Sequence, residues 1–299
     1  MLICNYEGDE LLMQVLTAIT KREYYIKLDS GGTKKLGKEY YRNGRFSHTA
    51  VKERLDRLGK GYTVELMTIC DDFNNATYLI NQEVKKIYNI TKCDRIDFHI
   101  GPSDGSNFRF KSAVQQPYKG KRAEKPALHA KLREYLITVH GAQVIQGYEA
   151  DDALGIYQTQ DTIACHCDKD ICMIPGKHFN TMTNEFYTVE DPGTLTLSED
   201  NKTLKGTGLA FFYAQLLMGD RTDNIPAIKH PTYKGWGAKT TYEALKSCTN
   251  EYEYLDTVSR KYCDNDLFSW RERLYEQADL VWICRELGVT GSKYLGGRI

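Results

Sequence analysis

The chain of 299 residues lacks any excess of charge: Lys plus Arg and Asp plus Glu stand at 40 each, so its total carries no general attraction to nucleic acid. It lacks an apolar run near the roughly 18 residues of a membrane span. Its opening, MLICNYEGDE, has neither the basic start nor the apolar core of a secretory signal, so a cytoplasmic location with no membrane partner is expected. A cysteine framework is missing too. The nine cysteines are odd in number and scattered, which suits reduced thiols. No CxxC pair occurs, and strand alternation puts Cys165 and Cys167 on the face opposite His166, so buried thiols are expected in place of a zinc site with Cys172 and His178. Internal repeats and low-complexity tracts are absent, so neither a solenoid nor a biased, disordered tract is expected.

What is present is an alternation of short apolar runs and amphipathic stretches, which predicts an α/β fold with a mostly parallel central sheet flanked by helices. Residues 1–4 read as a strand, NYEGDE as an acidic turn and LLMQVLTAIT as a helix. Residues 23–46 hold two aromatic runs around a glycine-rich centre and read as a hairpin or a pair of edge strands, with no chemistry assigned. A helix over 47–60, a strand YTVELMTI, a helix over 71–88 and a strand CDRIDFHIG follow. Length and pattern divide the chain into an α/β part, 1–200, and a helical part, 201–299, with the stretch from 251 packed on the outside.

The chemistry gathers between residues 146 and 170, QGYEADDALGIYQTQDTIACHCDKD, where Glu149, Asp151, Asp152, Asp168 and Asp170 form two acidic clusters. On a helix, positions i and i+3 share a face, so Glu149 and Asp152 can point together with Asp151 beside them. On a strand, i and i+2 share a face, which pairs Asp168 with Asp170. Two carboxylates about 4 Å apart repel by about 4 kcal/mol at an effective dielectric of about 20. A hard divalent cation between them removes that penalty, which points to Mg²⁺ or Mn²⁺. Each cluster alone also fits a plainer role, EADD as a helix cap and DKD as a solvated turn.

Other segments add to the pattern. The strand CDRIDFHIG delivers Asp104 to its C-terminal end, where open α/β sheets place ligands, although an aspartate in a glycine turn accounts for the same residues. Residues 107–133 carry Arg109, Lys111, Lys119, Lys121, Arg122, Lys125, Lys131 and Arg133 against the single acid Glu124, with Phe108, Phe110 and Tyr118 among them. Cations and aromatics beside an acidic cluster suit a phosphodiester substrate, and a solvated lysine-rich loop is the alternative. Asp220 and Asp223 stand three apart in GDRTDNIP. Gly235, Gly237 and Lys239 then open an amphipathic helix, a pattern similar to a helix-hairpin-helix over 220–247.

Taken in order, SDGSNFR, YKGKR, GYEADDALG, CDKD, GDRTDNIP and the GWGAK turn resemble the FEN-type 5′ nuclease superfamily, and within it the short phage-encoded 5′-to-3′ exonucleases, over residues 71–245. The resemblance implies a PIN/FEN-like fold that cuts double-stranded or flapped DNA, and RNA–DNA hybrids, with two Mg²⁺ ions replaceable by Mn²⁺. It implies that Asp104, Glu149 and Asp151 ligate the first ion with Asp152 beside them, and that Asp168, Asp170, Asp220 and Asp223 hold or approach the second. Lys119 and Arg122 are then the pair on the scissile phosphate, under a threading arch that includes Arg109, Tyr118, Lys121 and Lys125. K⁺ is implied at a DNA contact over Gly235, Gly237 and Lys239. A monomer acting beside replication proteins in phage DNA replication or degradation completes the expectation.

Two departures from the family pattern stand out. The family opens on a strand ending in Asp-Gly, where this chain has Glu7-Gly8, and Asp9 is a neighbour able to stand in. The link from 224 to 235 is long and contains AIKHPTYK. Two rival readings remain, a module of this fold that clasps branched DNA without cutting it and a PIN-type ribonuclease.

Overall fold

A computed structural model describes residues 1–29, 31–42, 45–55, 61–70, 72–229, 235–266 and 268–298. Contacts divide the chain into two compact units, Met1–Leu12 with Asn81–Ile299, and Met13–Ile80. The division expected at residue 200 is not among these, because the helices beyond it share a core with the acidic segment before it.

Strand β1 (Ile3–Glu7) runs straight into helix α1 (Gly8–Ile19). Glycine is required between them, since a Cβ on Gly8 would lie 2.7 Å from Ile100 Cγ2 and 2.8 Å from the His99 carbonyl. The unit Met13–Ile80 then holds β2 (Thr20–Leu28), β3 (Thr33–Lys35), β4 (Tyr41–Arg42), β5 (Arg45–Phe46), α2 (His48–Leu55) and β6 (Tyr62–Cys70). Strand β2 pairs antiparallel with β6 from Thr20↔Cys70 to Leu28↔Tyr62 and with β3 on its other edge. Ile26, Leu36 and Val51 form its small core, with Tyr24 stacked on Phe46 at 3.6 Å. The strands expected over 23–46 thus divide: β2 and β3 are joined by the 62–70 run into one sheet, while β4 and β5 pair only with each other.

Helix α3 (Phe73–Thr91) opens with Asp72 Oδ1 accepting the Asn75 N–H at 2.7 Å, and β7 (Arg95–Ile100) follows. The larger unit continues through α4 (Arg109–Ser112), α5 (His129–His140), β8 (Gln143–Val144), α6 (Ala150–Ile156), β9 (Thr162–His166), β10 (Gly176–Asn180) and β11 (Glu185–Val189). A short pair, β12 (Leu195–Leu197) and β13 (Leu204–Gly206), precedes α7 (Gly208–Met218), α8 (Ala238–Leu245), α9 (Glu251–Asn265), α10 (Trp270–Val281) and α11 (Gly291–Gly296).

The central sheet has the order β11-β10-β9-β1-β7-β8 and is parallel except for the β10–β11 pair. Strand β9 is buried at all five positions, as expected for a strand covered on both faces. Helix α7 is apolar all round and buried from Gly208 to Leu217, so it is the centre of the helical layer. Tyr254, Leu255, Val258, Tyr262, Leu274 and Ala278 belong to the same core, which corrects the expectation that residues beyond 251 lie outside it. Among the described residues no helix is long and apolar enough to cross a membrane.

Two further expectations meet the structure differently. Of the arch expected over 107–133, the part from 114 to 119 lies against the body of the protein: Val114 and Gln115 donate their backbone N–H groups to Glu276 Oε1 at 2.7 Å, and Lys119 N–H donates to the Asp223 carbonyl at 2.8 Å. Those bonds tie residues 114–119 to α10 and the 219–225 loop, and 121–125 are exposed. Of the helix-hairpin-helix expected over 220–247, the loop to 229 and helix α8 are seen, while 230–234 lie outside the described residues.

Candidate active site

Parallel strands deliver their C-terminal ends to one edge, and the acidic residues sit there. Glu7 closes β1 and is 5 % exposed. Asp168 and Asp170 follow β9, and Glu149 and Asp151 stand at the start of α6. Asp220 and Asp223 lie on the loop after α7, which turns at Gly219 with φ of 62° and closes through the Asp220–Ile225 bridge. Glu149, Asp151, Asp170, Asp220 and Asp223 line one cleft with Arg109, Tyr118 and Gln215.

Three predicted residues have other work. Asp104 stays outside the cluster, exposed, its Oδ1 accepting the Ser106 N–H at 3.0 Å within its own turn. Asp152 is fully buried with both oxygens committed: Oδ1 accepts from Arg109 at 2.8 Å and from Cys284 N–H at 2.9 Å, and Oδ2 from Arg109 at 2.6 Å and Glu149 N–H at 2.9 Å. It is a structural anchor and leaves no lone pair facing the cleft. Arg109, predicted to touch nucleic acid, is 1 % exposed and also donates to the Leu280 and Trp282 carbonyls, so its guanidinium is spent inside the protein.

Asp9, the neighbour able to stand in for Glu7, accepts the Gly101 N–H at 2.8 Å and lies 3.5 Å from Arg133. Sequence reasoning missed Glu10, whose Oε2 accepts the Cys167 N–H at 2.8 Å, and Lys169. Glu10 stands three positions after Glu7, the spacing that would have marked it.

The electrostatics separate the carboxylates into two sets. Burial pushes Glu7 well above the usual carboxylate range, and Asp151, Asp9 and Glu10 push it further. Burial raises Asp151 likewise, helped by Asp168 and Glu149. Among the described residues none of Glu7, Asp151 and Asp168 forms an ion pair with Lys or Arg, although Lys119 acts from a distance against the rise at Asp151. The other set is neutralised by the chain's own cations. Burial would raise Glu149, but Lys119 and Arg109 outweigh it and hold the carboxyl at about 2. Lys119 Nζ is bonded to Glu149 and lies 3.7 Å from Asp223, whose Oδ1 accepts from Arg122 at 2.6 Å. The Tyr118 hydroxyl is 2.9 Å from both Glu149 and Asp223, and its single proton serves one at a time.

Lys119 adopts φ of 54°, a left-handed conformation uncommon for a side-chain-bearing residue, and its loop is braced by Asn224 Nδ2 donating to the Pro117 carbonyl at 2.9 Å. Lys119 and Arg122 are therefore held at the cleft. Lys121 and Lys125 are exposed beside them, as is Lys239 in the first turn of α8. The Gly237 N–H is taken by Thr240 Oγ1 at 2.9 Å, so the N–H expected at the K⁺-assisted contact is committed within α8.

No family model matches the chain, and no curated protein matches it. Among the described residues no three His, Cys, Asp or Glu side chains already converge on one liganding point. The donor set is nonetheless all carboxylate oxygen at the cleft, and Glu7 and Asp151 repel each other with no Lys or Arg of the described residues paired to either. Hard oxygen donors short of positive charge fit Mg²⁺ or Mn²⁺ and not zinc. The cysteines agree: all nine are free thiols. His166 and His178 hydrogen-bond each other at 2.9 Å and the carbonyls of Asp168 and Ile174.

Proposed function

We propose that this chain is a metal-dependent nuclease that hydrolyses DNA phosphodiesters from the 5′ end, with flapped DNA and RNA–DNA hybrids as related substrates. One observation carries the reading: buried Glu7 and half-buried Asp151, from elements far apart in the chain, repel each other with Asp168 close enough to repel Asp151, and among the described residues no Lys or Arg forms an ion pair with any of the three, Lys119 only offsetting part of the repulsion at Asp151 from a distance. The resemblance of the ordered motifs to FEN-type 5′ nucleases supports the same class, as does the parallel sheet whose strand ends carry the acids.

Glu7, Asp151 and Asp168 would hold a divalent ion, which when bound would supply positive charge beside the phosphate and lower the pKa of a water. Lys119 and Arg122 exchange their bonds to Glu149 and Asp223 for the nonbridging oxygens of the scissile phosphate and stabilise its growing negative charge. Tyr118 keeps Glu149 and Asp223 in place through its hydroxyl. Exposed Lys121, Lys125 and Lys239 neutralise neighbouring phosphates without reading bases. Arg109 and Asp152 take no part in contact with substrate.

The test is product analysis on 5′-labelled duplex, flapped and RNA–DNA hybrid substrates with and without Mg²⁺. Short labelled products that appear only with Mg²⁺ support the reading. A label that stays on full-length DNA despite tight binding makes the chain a clasp for branched DNA, and cleavage confined to single-stranded RNA makes it a PIN-type ribonuclease.

A further inference from the structure

The cleft holds a cation of its own in an unexpected place. Lys169 lies between Asp168 and Asp170, and its Nζ stands 2.7 Å from Asp170 Oδ1 and 2.6 Å from Asp220 Oδ2. One ammonium thus bridges two carboxylates that come from opposite sides of the cleft, one after β9 and one after α7. Both acids are prepared to face it: Gln215 Nε2 donates to Asp170, and the Thr222 N–H donates to Asp220 Oδ1 at 2.6 Å. The Asp170 N–H donates to Asp168 Oδ1 at 2.9 Å, so the lysine's own loop is closed on itself. The Lys169 side chain is half exposed, with solvent on its outer side, whereas the Asp220 side chain is 10 % exposed.

We propose that the Lys169 ammonium occupies the second cation position of the cleft, so that the protein binds one divalent ion tightly, at Glu7, Asp151 and Asp168, and a second only after Lys169 is displaced. The inference rests on the metal-dependent reading above and adds to it the control of metal stoichiometry by one side chain. The physical reason is competition for the same lone pairs. A divalent ion bridging Asp170 and Asp220 must take the oxygens that Nζ now occupies, while an ion at Glu7 and Asp151 displaces no cation of the described residues. A lysine held in this way costs the site affinity for the second ion and relieves the repulsion between Asp170 and Asp220 when that ion is missing.

The experiment is Mn²⁺ titration of the full chain by calorimetry and by electron paramagnetic resonance, comparing wild type with Lys169→Met and Lys169→Arg. Wild type is expected to bind one Mn²⁺ tightly and a second at least tenfold more weakly. Lys169→Met is expected to bind two, with the second tightened tenfold or more, while Lys169→Arg stays like wild type. In chelator Lys169→Met is expected to melt below wild type and to gain more from added Mn²⁺. Two ions of like affinity in wild type, a result that needs no variant, overturn the inference, as does a Lys169→Met titration indistinguishable from wild type. Mn²⁺ bound by neither protein removes the metal-dependent reading itself, so the two failures are distinct.

Discussion

Arg109 and Asp152 form a two-pronged ion pair, 2.6 and 2.8 Å, in which the side chains are 1 % and 0 % exposed. Both residues also reach the 280–284 segment through backbone groups, so this pair joins the start of α6 to the end of α10. Removing one partner leaves a buried charge uncompensated, which costs about 3–5 kcal/mol. Arg109→Ala is expected to lose stability on that order in urea denaturation, and Arg109→Met with Asp152→Leu to regain part of it. Near-normal stability with lost DNA affinity would return Arg109 to the nucleic-acid surface.

Glu7 and Asp151 repel each other in burial. Asp151→Asn relieves that repulsion, so in chelator at pH 8 it is expected to melt above wild type by a few degrees, about 1–2 kcal/mol for a protein of this size. Mg²⁺ is expected to raise the wild-type midpoint and leave that of Asp151→Asn nearly unchanged. A variant that melts below wild type in chelator would mean that Asp151 already has a stabilising partner.

Burial raises Asp170 from its ordinary 3.8 to about 6, with Lys169 opposing and Asp168 adding to the shift. A raised carboxyl keeps its proton longer in the folded state, so its contribution is most favourable below the unfolded value and is lost as pH climbs through the folded one. In chelator, the stability of Asp170→Asn relative to wild type is expected to rise between pH 4 and pH 7, by on the order of 2 kcal/mol. Glu149, held at about 2, works the other way: its contribution is present above its ordinary 4.5 and fades as pH falls toward 2. Melting curves across that range check both, and a pH-independent Asp170→Asn difference contradicts the first.

Much of this arrangement was legible in the sequence, and the reasons it stopped are physical. The acidic positions at strand ends could be found because period-2 and period-3.6 patterns locate strand and helix ends, and a parallel sheet brings those ends together. Asp104 has the same local pattern, yet its turn folds back on Ser106, which only the loop geometry decides. Arg109 looked like one cation among eight because burial depends on Asp152 and on a segment more than 170 residues away. The C-terminal helices read as surface because their charged faces dominate the composition, while Tyr254, Val258 and Leu274 face the core. The unit Met13–Ile80 escaped because its longest pairing, β2 with β6, joins runs separated by a glycine- and lysine-rich stretch.

Lys119 is bonded to Glu149 and backed by a left-handed turn, which places it without committing it to the fold's core. Its proposed contact is strongest as charge develops on the phosphate, so Lys119→Ala is expected to lower turnover about 10²-fold with little change in DNA affinity. Single-turnover cleavage measured beside equilibrium binding separates the two effects. Loss of affinity alone would make Lys119 a simple docking residue.

The most direct measurement is anomalous diffraction from crystals of the chain soaked in Mn²⁺. The account predicts a strong peak among the carboxylates of Glu7, Asp151 and Asp168, lost in Asp151→Asn. Crystals that diffract well, with those three carboxylates ordered and no peak between them, would contradict it.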